Sequence, residues 1–184
     1  MTSMSGVQAR PVWPWGTMSD VPRIEVTTGD ITVEQVDAIV NAANTALAGG
    51  GGVDGAIHRA AGASLLQAAC ARLGGCRPGD AKATPGFSLA ATWIIHTVGP
   101  VWTGGHRGES DVLASCYRRS LEVADELGAR SVAFPAISTG AYGYPPELAA
   151  AVAMNSIKAS PSAVDLVRVV AFDATTHELY LTML

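Results

Sequence analysis

From Arg23 onward, apolar and polar positions fall into short strand-like runs alternating with longer helical ones. Ile24–Val26 predicts a short strand. Asp37–Ala42 is an apolar run ending in polar residues, the pattern of a buried strand that delivers Asn41 and Asn44 at its C-terminal end. The alanine-rich stretch Val53–Leu73 predicts helix, with a break around Ala61–Ser64 and a glycine stop at Gly74 and Gly75. Asp80–Thr84 and Thr92–Val98 read as further strands, the second rich in β-branched residues. Ser110–Leu127 predicts a long helix with Ser110 as N-cap and Gly128 as stop. Val132–Pro135 reads as a strand and leads into a glycine-bearing loop, Ser138–Gly143. Pro145 and Pro146 open a helix through Ser160, since proline is tolerated in a first turn. Leu166–Phe172 is a strongly apolar strand, and Thr176–Leu184 a terminal helix or helix-like tail. Such alternation implies an α/β protein whose central sheet is covered on both faces. In these sheets ligands bind outside the carboxyl ends of the strands. Both glycine loops follow strands, so both can lie on that edge and grip one ligand from two sides.

Residues 1–22 break the pattern. Pro11, Pro14 and Pro22, with Trp13 and Trp15 among polar residues, read as an N-terminal extension without regular structure, ahead of one domain over 23–184. The total of 184 residues suits a single core, and 48% hydrophobic against 15% charged content suits a globular chain. A formal charge of −4 argues against gripping nucleic acid by phosphate neutralisation, but leaves a nucleotide ligand open. No apolar run approaches membrane-spanning length, and no signal peptide is expected. Cys70, Cys76 and Cys116 are odd in number and form no CxxC pair, which favours buried thiols in a reducing cytoplasm over a disulfide or a zinc site.

The chemistry concentrates in Asn41–His58, NAANTALAGGGGVDGAIH. Four consecutive glycines do not fill a core; they permit positive φ and let a ligand approach the backbone. They feed a helix start, where the first amide N–H groups have no intrahelical partner and attract anions. No GK[ST] follows, so this is not a Walker A loop, and its GxGxxG spacing arises trivially from the glycine run. Neither Ile24–Ile57 nor Ser131–Ile157 contains Lys, Arg or His. Phosphates held here would be held by backbone dipoles rather than side-chain cations.

The order GDIT (Gly29–Thr32), VNAAN (Val40–Asn44), GGGGVDGAIH (Gly49–His58), IHTVGP (Ile95–Pro100) and FPAISTGAYGYP (Phe134–Pro145) resembles a macrodomain, and more narrowly the MacroD-type ADP-ribosyl hydrolases. The resemblance covers the chain from about Ile24 to the C-terminus. It implies a three-layer α/β/α sandwich with a central mixed sheet, and a deep cleft for ADP-ribose. In that resemblance Asp30, with Ile31 beside it, meets adenine. The amides of Gly50, Gly51, Gly52 and Val53 wrap the diphosphate together with Ser138, Thr139, Gly140, Ala141 and Tyr142. Asn44 hydrogen-bonds the distal ribose. Asp54 acts there in hydrolysis, and Tyr142 packs on the ribose and helps place water. Phe172 lies where the family often sets an aromatic over adenine. The implied reaction cleaves an ester at the distal ribose, on a protein Asp or Glu side chain or on acetate. An ester needs an oriented water and charge stabilisation but no metal, so neither metal nor cofactor is expected.

Other roles fit the same residues. Asp54 can be a helix N-terminal charge favoured by the macrodipole. His58, one turn later, either pairs with Asp54 or is structural. Asp30 alone would be a turn residue. Asn41 is expected to brace the loop through backbone hydrogen bonds. His96 at a strand end is expected to be structural, and Trp102–Gly108 a mobile surface loop. The leading function is removal of mono-ADP-ribose from acidic side chains, with deacetylation of O-acetyl-ADP-ribose, by a monomer. The alternative is a reader that binds ADP-ribose without cleaving it. Cleavage inside poly-ADP-ribose chains is disfavoured, because no adjacent glutamates follow Gly49–Gly52.

Overall fold

The computed structural model describes residues 21–184. The expected extension, with Trp13 and Trp15, lies outside the described residues apart from Val21 and Pro22. In chain order the elements are β1 (Arg23–Thr28), a short 3-10 turn (Ile31–Val33), β2 (Ala38–Ala42), α1 (Gly52–Ala61), α2 (Ala63–Leu73), β3 (Ala81–Pro85) and β4 (Trp93–Thr97). They continue with α3 (Glu109–Glu126), β5 (Ser131–Phe134), α4 (Pro146–Ala159), β6 (Leu166–Ala171) and α5 (Ala174–Leu181). The six strands form one sheet in the order β1-β6-β5-β2-β4-β3. Every neighbouring pair is parallel except β3 with β4. The sheet is therefore mixed, as the resemblance implied.

The side-chain period of two along each strand divides the core between the two faces. Ala38 and Val40 of β2, Ile95 of β4, and Val132 and Phe134 of β5 pack with Leu113, Tyr117 and Leu121 of α3, Ala153 and Ile157 of α4, and Tyr180 of α5. The alternate residues, Ile39, Ile94 and Ala133, pack with Ile57 and Ala61 of α1 and Leu66 and Cys70 of α2. The result is the three-layer α/β/α sandwich.

Two helix starts differ from expectation. Ser110 lies inside α3, whose cap is Gly108 in the left-handed conformation. The Glu109 carboxylate accepts from the amides of Thr103, Gly105 and Arg107 and from the Thr103 hydroxyl. The segment expected to be a mobile loop is thereby stapled to the helix, and Trp102 stacks on Tyr144 with ring centroids 4.5 Å apart. At the C-terminus α5 starts two residues before Thr176, because the Asp173 side chain accepts from the Thr176 amide. The break between α1 and α2 falls at Gly62, φ +100°, inside the predicted window.

Candidate functional site

Because β1, β6, β5, β2 and β4 run parallel, their carboxyl ends share one edge of the sheet. The loop after β2 and the loop after β5 meet there across a cleft of about 300 Å³. Asn44, Gly50–Val53 and Asp54 form one wall, and Ala136–Ser138 with Gly140–Tyr142 the other. The lining contains no Lys, Arg or His, and Asp54 is its single charged residue.

The first wall follows from its sequence. Leaving β2, Asn44 folds the chain back: its Nδ2 donates to the Gly49 carbonyl at 3.0 Å and its Oδ1 accepts from the Ala48 amide at 3.2 Å. Gly49 and Gly52 take positive φ, where a Cβ would be strained. Gly50 and Gly51 line the cleft, and Gly51 caps α1 in an extended conformation. The amides of Gly50–Asp54 meet no protein acceptor among the described residues. The same holds for Gly140, Ala141 and Tyr142 on the facing wall. That wall is shaped by its own turns: Tyr144 donates to Ser138 O, Gly143 to Gly140 O and Thr139 to Ala136 O. Ser138 is buried at φ +67°, and its hydroxyl has no partner among the described residues. Outside the wall, the Trp102 amide donates to Tyr142 O at 2.8 Å. Residues carrying two runs of unpaired N–H groups thus line one cavity, the makings of a nest for anionic oxygens.

Asp54 stands in the first turn of α1, 5% exposed. Its Oδ1 accepts from Asn41 Nδ2 at 2.7 Å, with His58 Nε2 at 3.4 Å. Its Oδ2 accepts no bond from the described residues and lies beside Gly50, where an added methyl would come within 3.2 Å of it. One oxygen is anchored and the other is left for a ligand or a water. The expected Asp54–His58 contact is present, and the His58 ring packs beneath Gly49.

One expectation requires correction. Asn41 does not brace the loop through the backbone and does not line the cleft. It is fully buried beneath it, and its side-chain amide holds Asp54 and His96. The β2 pattern placed Asn41 at a strand end, but only the β2–β4 register, which pairs it with His96, reveals that contact. Asn44 closes the Thr45–Gly49 turn with one hydrogen and one lone pair of its amide, and its second Nδ2 hydrogen meets no protein acceptor among the described residues.

Asp30, Ile31 and Phe172 lie beyond the cleft lining but on the same sheet edge. Asp30 follows β1 and caps the short helix, its Oδ1 accepting from the Thr32 amide at 2.9 Å and the Thr32 hydroxyl at 2.7 Å. Phe172 follows β6 and is 91% exposed. The Gly29 amide donates to Ala171 O, which ties the two strand ends together. The edge therefore runs from an acidic turn after β1, past an exposed aromatic after β6, to a cleft of unpaired amides after β5 and β2. Among the described residues no group of His, Cys, Asp and Glu side chains could hold a metal ion.

The family described as Macro domain matches residues 40–153, over half of the chain and both walls of the cleft. A macro domain-containing protein of Chlorobaculum tepidum is 61% identical over 141 residues, covering 77% of this chain and 81% of that protein. A Klebsiella pneumoniae protein named O-acetyl-ADP-ribose deacetylase is 52% identical over 167 residues, covering 87% of this chain and 95% of its own length. Among solved structures, the Oceanobacillus iheyensis macrodomain with ADP is 40% identical with a TM-score of 0.82, covering 91% of this chain and 92% of that one. The Trypanosoma brucei macrodomain in complex with ADP-ribose is 41% identical with a TM-score of 0.79, covering 86% of this chain and 68% of that one. Sheet order, paired glycine loops and these matches agree: the chain belongs to the macro domain family.

Proposed function

We propose that this protein is a MacroD-type hydrolase that binds ADP-ribose and removes it from acidic protein side chains, and that deacetylates O-acetyl-ADP-ribose. The observation that carries the reading is the cleft itself: two facing runs of unpaired amides, no side-chain cation, and one carboxylate oxygen left open at Asp54. The amides of Gly50–Val53 and Gly140–Tyr142 take the diphosphate. Adenine extends toward Asp30, Ile31 and Phe172, and the distal ribose lies against Asp54, Asn44 and Tyr142. The relatives support this ligand, since one is described with ADP, one with ADP-ribose, and one is named as a deacetylase.

Hydrolysis adds water across the ester, leaving a free ribose hydroxyl and the carboxylic acid of the protein side chain or of acetate. Binding the diphosphate fixes the ribose against Asp54, so the water and ester meet already oriented. Asp54 Oδ2 holds the water or a ribose hydroxyl, while Oδ1 stays pinned by Asn41. A water held on a phosphate oxygen fits equally well, with Asp54 in support. Gly51 and Gly52 carry no side chain and have nothing within 4 Å of a Cβ position, which leaves the rim open to an attached protein. We place the enzyme in the cytoplasm, in keeping with its three free buried thiols, as a monomer whose cleft is built by one chain.

The test is release of radiolabel from a glutamate-linked ADP-ribosylated protein. The wild type should release it, and Asp54→Ala combined with Asn44→Ala should slow release by at least about 100-fold. No release by the wild type, or undiminished release by the double variant, overturns the reading. The second reading, a reader, follows if Asn44 serves chiefly to close the Thr45–Gly49 turn, where its amide makes its two protein hydrogen bonds. Calorimetric ADP-ribose binding with no turnover would select it.

A further inference from the structure

We propose that His96 and Asn41 form a buried strut that sets the orientation of the Asp54 carboxylate, making them positioning residues for the reaction. This inference rests on the reading of Asp54 given above. His96 is fully buried on β4, opposite Asn41 on β2 in the sheet register. Asn41 Nδ2 lies 2.7 Å from Asp54 Oδ1 and 3.1 Å from His96 Nδ1. One amide nitrogen has two hydrogens, and these two acceptors use both.

The protonation pattern follows from donor counting. A carboxylate oxygen can only accept, so Nδ2, not Oδ1, of Asn41 must face Asp54. Its second hydrogen then needs an acceptor, and His96 Nδ1 must be the unprotonated ring nitrogen. The proton sits on Nε2 and is donated to the Thr84 hydroxyl at 2.9 Å, with Cys70 Sγ 3.8 Å away. Burial, and after it the charge on His58, pushes the His96 pKa down to about 3, so the ring is neutral and keeps this tautomer at neutral pH. The chain of contacts runs Thr84, His96, Asn41, Asp54, from the antiparallel β3 across the sheet to the first turn of α1. Each link leaves the next one orientation. Asn41 cannot flip without setting its carbonyl against a carboxylate.

Asp54 reaches the cleft from a helix, and its torsions alone would let the carboxylate turn about its own axis. The strut pins Oδ1, so Oδ2 is held toward Gly50 and the cavity. Its contribution is therefore to turnover rather than to affinity, because the diphosphate amides do not depend on it.

The experiment pairs spectroscopy of the wild type with kinetics of variants. In the wild type with 15N-labelled histidine, two-bond 1H–15N correlation at neutral pH should show His96 unprotonated at Nδ1 and protonated at Nε2. A protonated Nδ1 overturns the strut outright. His96→Leu removes the acceptor and should lower kcat for O-acetyl-ADP-ribose by about 10- to 100-fold, with KM and ADP-ribose affinity within about twofold. His96→Asn places a carbonyl oxygen near the Nδ1 position and should recover most of kcat. Equal kcat for wild type and His96→Leu, or an equal loss in both variants, overturns it. If the wild type has no turnover, the hydrolase reading fails, and the tautomer spectrum still decides the strut.

Discussion

Gly55 shows how closely the first wall is built. A methyl group there would lie 2.4 Å from the Gly50 carbonyl oxygen and 3.1 Å from Arg59 Nη1, so α1 packs against its own entry loop through a residue without a side chain. Gly55→Ala is expected to destabilise the fold by about 1–3 kcal/mol, read from urea unfolding. It should weaken ADP-ribose binding as well, since relief requires Gly50 to move. Gly51 is the contrasting case. It is extended at φ −94°, and nothing lies within 4 Å of its Cβ position. Gly51→Glu should therefore fold with an unchanged melting temperature yet lose ADP-ribose binding by calorimetry, because the new carboxylate enters the cleft among the phosphates. Normal binding by that variant would show that the phosphate wall is misassigned.

Among the elements, the start of α3 departs most from a local reading. The sequence offers Ser110 as a cap because serine is a good one. The chain instead uses Gly108 in the left-handed region and the Glu109 carboxylate, which gathers the Thr103, Gly105 and Arg107 amides. An acidic first-turn residue reads from sequence only as a macrodipole charge; its reach back over the preceding loop is a tertiary fact. The hydrogen bond from the Thr103 hydroxyl, with help from the Glu109, Arg107 and Thr103 amides and against the opposing effect of burial, pulls the Glu109 pKa down to about 2. The unfolded value is near 4.5, so the stabilisation is complete above 4.5 and is lost as pH falls through about 2. Glu109→Gln should raise amide exchange across 102–108 at neutral pH, with little change in exchange across β2. Protection across 102–108 equal to wild type would show that another contact holds that loop. Through Trp102, which donates to Tyr142 O, the staple also supports the second wall of the cleft.

Across the whole molecule, what was legible in the sequence was what repeats or punctuates. The alternation of strand and helix, the Gly62 break and the Pro146 start are local signals, and the fold follows them. The two glycine loops were legible as cleft walls because strand ends in a parallel sheet share an edge. The Asn41–His96 contact was not legible, because it depends on which strands neighbour one another and in what register. The same buried pair carries a global signature. The folded His96 value, about 3, lies below the unfolded value near 6.5. Between these the unfolded chain binds more protons, so stability is greatest above pH 6.5 and declines as pH falls toward 3. Urea unfolding between pH 4.5 and 6.5 should show that slope in the wild type and a shallower one in His96→Asn. Equal slopes would mean that His96 is not held neutral.

A crystal structure with ADP-ribose would show whether this cleft grips a diphosphate with backbone dipoles alone and brings a ribose ester to Asp54. Phosphate oxygens should lie within hydrogen-bonding distance of the Gly50–Val53 and Gly140–Tyr142 amides, with no Lys or Arg in contact. The distal ribose should lie beside Asp54 Oδ2, with Asn41 still on Oδ1. A diphosphate held by side-chain cations, or a distal ribose directed away from Asp54, would contradict this binding mode.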